Sequence, residues 1–165
     1  MLTRLAMTLV FCVLAPMAWA QSASIALGTA AFDKTQPVEV SADALSVDQQ
    51  NGSAVFDGNV LVVQGEVRLS AGKVTVEYST ESNAGSGISK LLASGGVTFV
   101  TASDAVEAEE AVYSLDAGTV RLSGSVLLTQ GQNAISGDTL TINLSSGAGT
   151  MEGRVRTIFN TGGGN

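Results

Sequence analysis

The chain has 165 residues, a net charge of −7, a single cysteine and no histidine. Without histidine no imidazole base, serine triad or histidine-held metal can be assembled, which removes the commonest routes to hydrolytic and metal-assisted chemistry. Its eight Lys and Arg residues (Arg4, Lys34, Arg68, Lys73, Lys90, Arg121, Arg154, Arg156) are scattered and form no stripe for nucleic-acid phosphates.

The first segment, MLTRLAMTLVFCVLAPMAWA, joins a basic start at Arg4 to an apolar run and the small-residue site Ala18-Trp19-Ala20. That pattern predicts a cleaved signal peptide over 1–20 and a mature chain starting at Gln21. The apolar run falls short of the roughly 20 residues a spanning helix needs. Cleavage would remove Cys12 and leave an exported chain without thiols, which suits a bacterial periplasm. Residues 21–35 are expected to be a flexible segment, 36–160 the folded domain, and 161–165 a disordered tail.

Within the domain one unit is spelled four times. Gly-x-Val recurs at Gly58, Gly95, Gly124 and Gly153, at intervals of 37, 29 and 29 residues. A second marker, an aliphatic residue followed by a small one, begins at Val40, Leu69, Val106 and Ile135, at intervals of 29, 37 and 29. "DGNVLVVQG" (57–65) returns as "SGSVLLTQG" (123–131). A period of this size implies units that bury their apolar faces only by stacking. Each unit alternates apolar and polar residues, the signature of strands. Val38, Val40 and Ala42 share one parity and Leu45 and Val47 the other, so a bulge is expected between them. Turn chemistry stands at Asn51-Gly52, at Asp116-Ala117-Gly118 and at Ser146-Gly147, and "STESNAGSG" (79–87) reads as a surface loop. Pro37 precedes the first clear strand. The expected fold is all-β, a sheet of short antiparallel strands in four repeats of roughly 29–37 residues.

Alternation sorts the side chains by face. The inward set is Val38, Val40, Leu45, Val47, Phe56, Val60, Val62, Leu69, Val74, Val76, Val97, Phe99, Val106, Tyr113, Leu122, Val126, Leu128, Leu140 and Ile142. Ala42, Ala54, Val67, Leu91, Ala111, Leu115, Val120, Ile135, Leu144, Met151 and Val155 share that face. The set is medium-sized and aliphatic, with few large aromatics to lock a core, and its pattern alone is compatible with a dry core or with an apolar trough. No catalytic residue, metal site or cofactor is expected. Glu107, Glu109 and Glu110 read as a solvated face. Asp43, Glu109 and Asp138 recur once per unit while Gly72 breaks the series, which argues for a structural hydrogen bond.

The stretch "QPVEVSADALSVDQQNGSAVFDGNVLVVQGEVRLSAGKVTVEY" (36–78) resembles the opening of the LptA/OstA-like family of lipopolysaccharide-transport proteins, and "GGVTFVTASDAVEAEEAVYSLDAGTVRLSGSV" and "ISGDTLTINL" extend the likeness. The resemblance implies a twisted, open-ended β-jelly roll in the periplasm, whose inward residues line a groove for the acyl chains of lipopolysaccharide. Val38, Val40 and Phe99 match inward positions of that family. It also implies head-to-tail self-association into a bridge, with an inner-membrane-anchored component and an outer-membrane receptor as partners. An inner-membrane-anchored member of the same pathway, or a periplasmic domain that is structural or binds carbohydrate, is the alternative.

Overall fold

A computed structural model describes residues 22–26, 36–48, 50, 52–79 and 87–159. Among them are eleven strands: β1 Ser22–Ala26, β2 Glu39–Ser41, β3 Ala44–Asp48, β4 Ser53–Gln64, β5 Val67–Tyr78, β6 Ile88–Val100, β7 Asp104–Ser114, β8 Thr119–Gln130, β9 Asn133–Asn143, β10 Ala148–Glu152 and β11 Arg156–Ile158. They form one antiparallel sheet in the order β1-β10-β9-β8-β7-β6-β5-β4-β2, with β3 also on β4 and β11 also on β9. Consecutive strands are neighbours through most of the sheet because short turns join them. The turns at Gly52, Gly118 and Gly147 take positive φ, as the turn chemistry predicts.

The Gly-x-Val marker is a crease. On β4, β6 and β8, and between β10 and β11, two successive residues lie in the left-handed region: Gly58-Asn59, Gly95-Gly96, Gly124-Ser125 and Gly153-Arg154. In the ladders Gly58-Asn59 oppose Gly72 alone, Gly95-Gly96 oppose Glu109, and Gly124-Ser125 oppose Asp138. Two residues against one is a bulge, which bends the strand. The parity break between Ala42 and Leu45 falls at the same line: the chain leaves β2 and enters β3 opposite Gly58, whose carbonyl accepts from the Asp43 amide at 2.9 Å. At the far end the Asp138 amide donates to the Gly153 carbonyl at 3.1 Å.

The crease divides the sheet into two walls that face each other. Wall one contains β2, residues 60–64, 67–71, 97–100, 104–108, 126–130 and 133–137, and β11; wall two contains β3, residues 53–57, 73–78, 88–94, 110–114, 119–123 and 139–143, β10 and β1. Aliphatic residues of both walls form one core, with Leu122, Val126, Leu128 and Leu140 fully buried. This is the all-β architecture expected from the repeats, and the jelly roll that the family resemblance implies.

Two expectations about the chain's limits meet different fates. The segment 21–35 contributes a strand, β1, which pairs with β10 from Ser22↔Glu152 to Ala26↔Ala148 and buries Ile25. The alternation in SASIA supplies it. The leader 1–20, residues 80–86 of the surface loop and the tail 161–165 lie outside the described residues.

The crease makes a quantitative prediction. A Cβ on Gly58 would lie 2.6 Å from Asp43 Oδ2, whereas one on Gly131, also at positive φ, would meet nothing within 4 Å. Gly131→Ala should cost about 1–2 kcal/mol, the left-handed backbone term alone. Gly58→Ala should cost measurably more, and equal losses in chemical denaturation would show that the close approach does not matter.

Candidate functional site

Residues paired directly across a ladder point to the same face, so the registers assemble rows of side chains perpendicular to the strands. In wall one the row runs Val40, Val62, Leu69, Phe99, Val106, Leu128, Ile135. In wall two one row runs Leu45, Phe56, Val74, Ala93, Ala111, Leu122, Leu140, Met151, Ala23. A second runs Val47, Ala54, Val76, Leu91, Tyr113, Val120, Ile142. Beside the crease, Val60, Val97 and Val126 are buried. Val38 and Val40 are half-buried against the core. The residues assigned to one face by alternation therefore do lie together, with Phe99 and Val106 on β6 and β7 in wall one, and Ala93, Ala111, Leu91 and Tyr113 on the same strands in wall two.

Leu45 and Val47 depart from their neighbours. Their ladder partners Phe56 and Ala54 keep them on the inner face, yet they are 55% and 62% exposed. They sit on β3, the last strand of wall two. Ile158 and Phe159, at the opposite end of wall one, are also 58% and 69% exposed, but Ile158 pairs with Ala134, next to inward Ile135, and so faces outward. The apolar interior thus emerges at the β3 end of the roll.

Between the ends the interior is filled. A void of about 20 Å³ is bounded by Val62, Val67, Leu69 and Phe99 of wall one and by Leu91, Tyr113, Val120 and Leu144 on the other side, with Gln64 at its edge. That is room for about one water, so in this state the pattern has resolved to a dry core and not to an open trough.

Two polar residues that alternation did not single out are buried here, Gln64 and Asp104. The Tyr113 hydroxyl donates to Gln64 Oε1 at 3.1 Å, and Gln64 Nε2 donates to the Gln36 carbonyl at 3.0 Å. Desolvation by burial pushes the Tyr113 phenol up from 10.0 to about 12, because the phenolate loses hydration in the apolar interior. Asp104 Oδ1 accepts from Gln130 Nε2 at 3.0 Å, and Asp104 Oδ2 from the Ser103 hydroxyl at 2.9 Å. No buried side-chain polar atom among the described residues lacks a partner.

The recurrent carboxylates brace the crease from outside. Asp43 accepts from Asn59 Nδ2 at 2.7 Å, Glu109 from the Ser125 hydroxyl at 3.3 Å, and Asp138 from the Arg154 guanidinium at 2.9 Å. Each donor is the second left-handed residue of its crease. Where the carboxylate is missing, at Gly72, the facing residue is Gly96, which needs no partner. Glu107, Glu109 and Glu110 are all exposed.

A twice-walled β roll, creased once per repeat and filled by uninterrupted aliphatic rows, is the class of protein defined by these features. Residues 39–148 match the family described as LptA/(LptD N-terminal domain) LPS transport protein. The chain belongs to that family. It is 29% identical over 153 residues to an uncharacterized protein of Rhizobium meliloti (strain 1021), an alignment spanning 87% of this chain and 81% of the relative. It is 32% identical over 126 residues to the lipopolysaccharide export system protein LptA of Escherichia coli (strain K12), covering 73% of this chain and 66% of that protein. In fold it is similar to the crystal structure of LptH, the LptA-homologous periplasmic component of the lipopolysaccharide transport device of Pseudomonas aeruginosa. The TM-score is 0.69 at 18% identity, over 78% of this chain and 99% of LptH.

The phenol yields a pH prediction. Its folded pKa lies above the unfolded one, so the neutral form is favoured by folding; the contribution is complete below pH 10.0 and is lost as pH rises toward about 12. The denaturation midpoint should fall across that window in the wild type, and Tyr113→Phe should lack this component of the fall.

Proposed function

We propose that the protein carries lipopolysaccharide through the periplasm, sheltering the acyl chains between its two walls as one segment of a head-to-tail bridge. The observation that carries this reading is the continuity of the apolar rows from Val40 and Leu45 at one edge to Ile135 and Met151 near the other, with inner-face Leu45 and Val47 exposed at the β3 end. Relatives named as lipopolysaccharide export proteins support the cargo. No reaction is assigned to the chain.

The energetics suit transfer. Withholding a dozen methylenes from water is worth on the order of 10 kcal/mol, at about 0.8 kcal/mol per CH₂. A chain held that strongly moves only between sites of nearly equal apolarity. Because the free interior is filled, loading must separate the walls, and every wall contact then lost is replaced by contact with hydrocarbon. One kind of apolar burial is exchanged for another, so the net change is small compared with the gross burial. Sugars and phosphates would remain outside.

The ends of the roll fit the bridge. β2 and β3 pair with β4, and β1 and β11 pair with β10 and β9 respectively, leaving strand edges that a neighbouring copy or a membrane-anchored or outer-membrane partner can extend. A contact between unlike ends propagates instead of closing.

Photo-crosslinking residues introduced at positions 40 and 99 should capture lipopolysaccharide in the native host. Val40→Glu should preserve the β spectrum and strip copurified lipid by at least about tenfold, since a carboxylate in an apolar site is strongly penalised. Absence of lipid adducts at both positions would refute the groove. Sedimentation should reveal oligomers that grow with concentration, and monomers across a wide range would point to an independent carrier.

A further inference from the structure

The two glutamines that end VLVVQG and VLLTQG make corresponding contacts. Gln64 ends β4 and Gln130 ends β8, each at a tip of wall one and each followed by a glycine at positive φ. Gln64 meets the Tyr113 hydroxyl of wall two at 3.1 Å. Gln130 donates to the Ala26 carbonyl on β1, also in wall two, at 3.1 Å, while Asp104 holds the same amide at 3.0 Å. The crease lies at the middle of the long strands and these bonds lie at their ends, so they close the side of the roll opposite the crease.

The chemistry of this seam differs from that of the interior. Apolar side chains there would add burial, whereas a buried amide or phenol must keep a hydrogen bond to be tolerated. Amides and a hydroxyl have one property that leucine lacks: when the walls part, water or a sugar hydroxyl replaces the lost partner. The void of about 20 Å³ lies against Gln64 and Tyr113 themselves. The crease cannot open in this way, because the backbone is continuous through it.

We infer that acyl chains enter and leave sideways through this seam, with Gln64–Tyr113 as one latch and Gln130–Ala26 as the other. The inference rests on the lipid-carrying reading above and adds the route and the residues that control it. Loading is then limited by latch opening, and the lipid head stays at the seam while its chains pass between the walls.

The test follows the loading of dansyl-labelled lipid A from detergent micelles by stopped-flow fluorescence, on full-length protein carrying Cys12→Ser. Tyr113→Phe removes the latch hydroxyl and keeps the ring, and should load about fivefold faster, the scale of one net hydrogen bond. A second protein carries Glu66→Cys and Asp116→Cys, on the exposed tips beside Gln64 and Tyr113, joined by a bis-maleimide with a cleavable disulfide spacer. Joined, it should load at least tenfold more slowly, and cleavage of the spacer should restore the rate. Wild-type rates in both proteins would overturn the latch while leaving the lipid reading intact. A wild type that takes up no lipid A would overturn the reading itself. The joined protein keeps Tyr113, so it decides the matter even where the phenylalanine variant folds poorly.

Discussion

Two adjacent residues in left-handed conformation, set against one residue on the next strand, govern the shape of this molecule. Without that step an antiparallel sheet of this width would be a single twisted layer, with one face of Val, Leu and Ile in water. With it, the long strands turn at a common line and the sheet closes on itself. The requirement explains the sequence markers. Gly58, Gly95, Gly124 and Gly153 occupy φ between 77° and 83°, where a side chain is costly. Asp43, Glu109 and Asp138 then brace the second left-handed residue through Asn59, Ser125 and Arg154. One repeat supplies one two-residue step and one facing residue, so the period of the chain is the period of the crease.

Closing the sheet sets the volume to be filled, and the rows fill it with aliphatic side chains of moderate size. Bulky Phe99 shares its strand with small Ala93, and Tyr113 shares its strand with Ala111. Polarity inside is confined to the tips of the strands, where Gln64, Asp104 and Tyr113 satisfy one another and their neighbours. The molecule therefore has one covalent edge, one hydrogen-bonded edge, and an end at β3 where its apolar lining reaches solvent. Such a body belongs to a family of lipopolysaccharide-transport proteins.

Much of this could be read from residue patterns because the controlling variables are local. Parity assigns faces, glycine marks the steps, and a carboxylate repeated once per unit had to be structural. What escaped the pattern depends on distances between walls. Alternation cannot distinguish a filled interior from a hollow one, because both need the same inward residues. Leu45 and Val47 have the parity of core residues and are nonetheless exposed on the last strand of wall two. The glutamines are separated in sequence from Tyr113 and Ala26 by 49 and 104 residues, too far for spacing to suggest a pair. β1 escaped because its five residues have no repeat to give them a register.

The crease at Gly72 has a different character from the others. There a Cβ would stand 3.0 Å from the Gly95 carbonyl oxygen, so bare backbone touches bare backbone, and a concavity of about 460 Å³ lies on the outer surface. Elsewhere the donor and acceptor can be exchanged for another matched couple, as Asn–Asp, Ser–Glu and Arg–Asp already demonstrate within this one chain. At the glycine step a side chain would instead press on backbone, which must yield by a few tenths of an ångström. Substitution can drift in tandem at three folds of the sheet, while the fourth has no such couple to exchange.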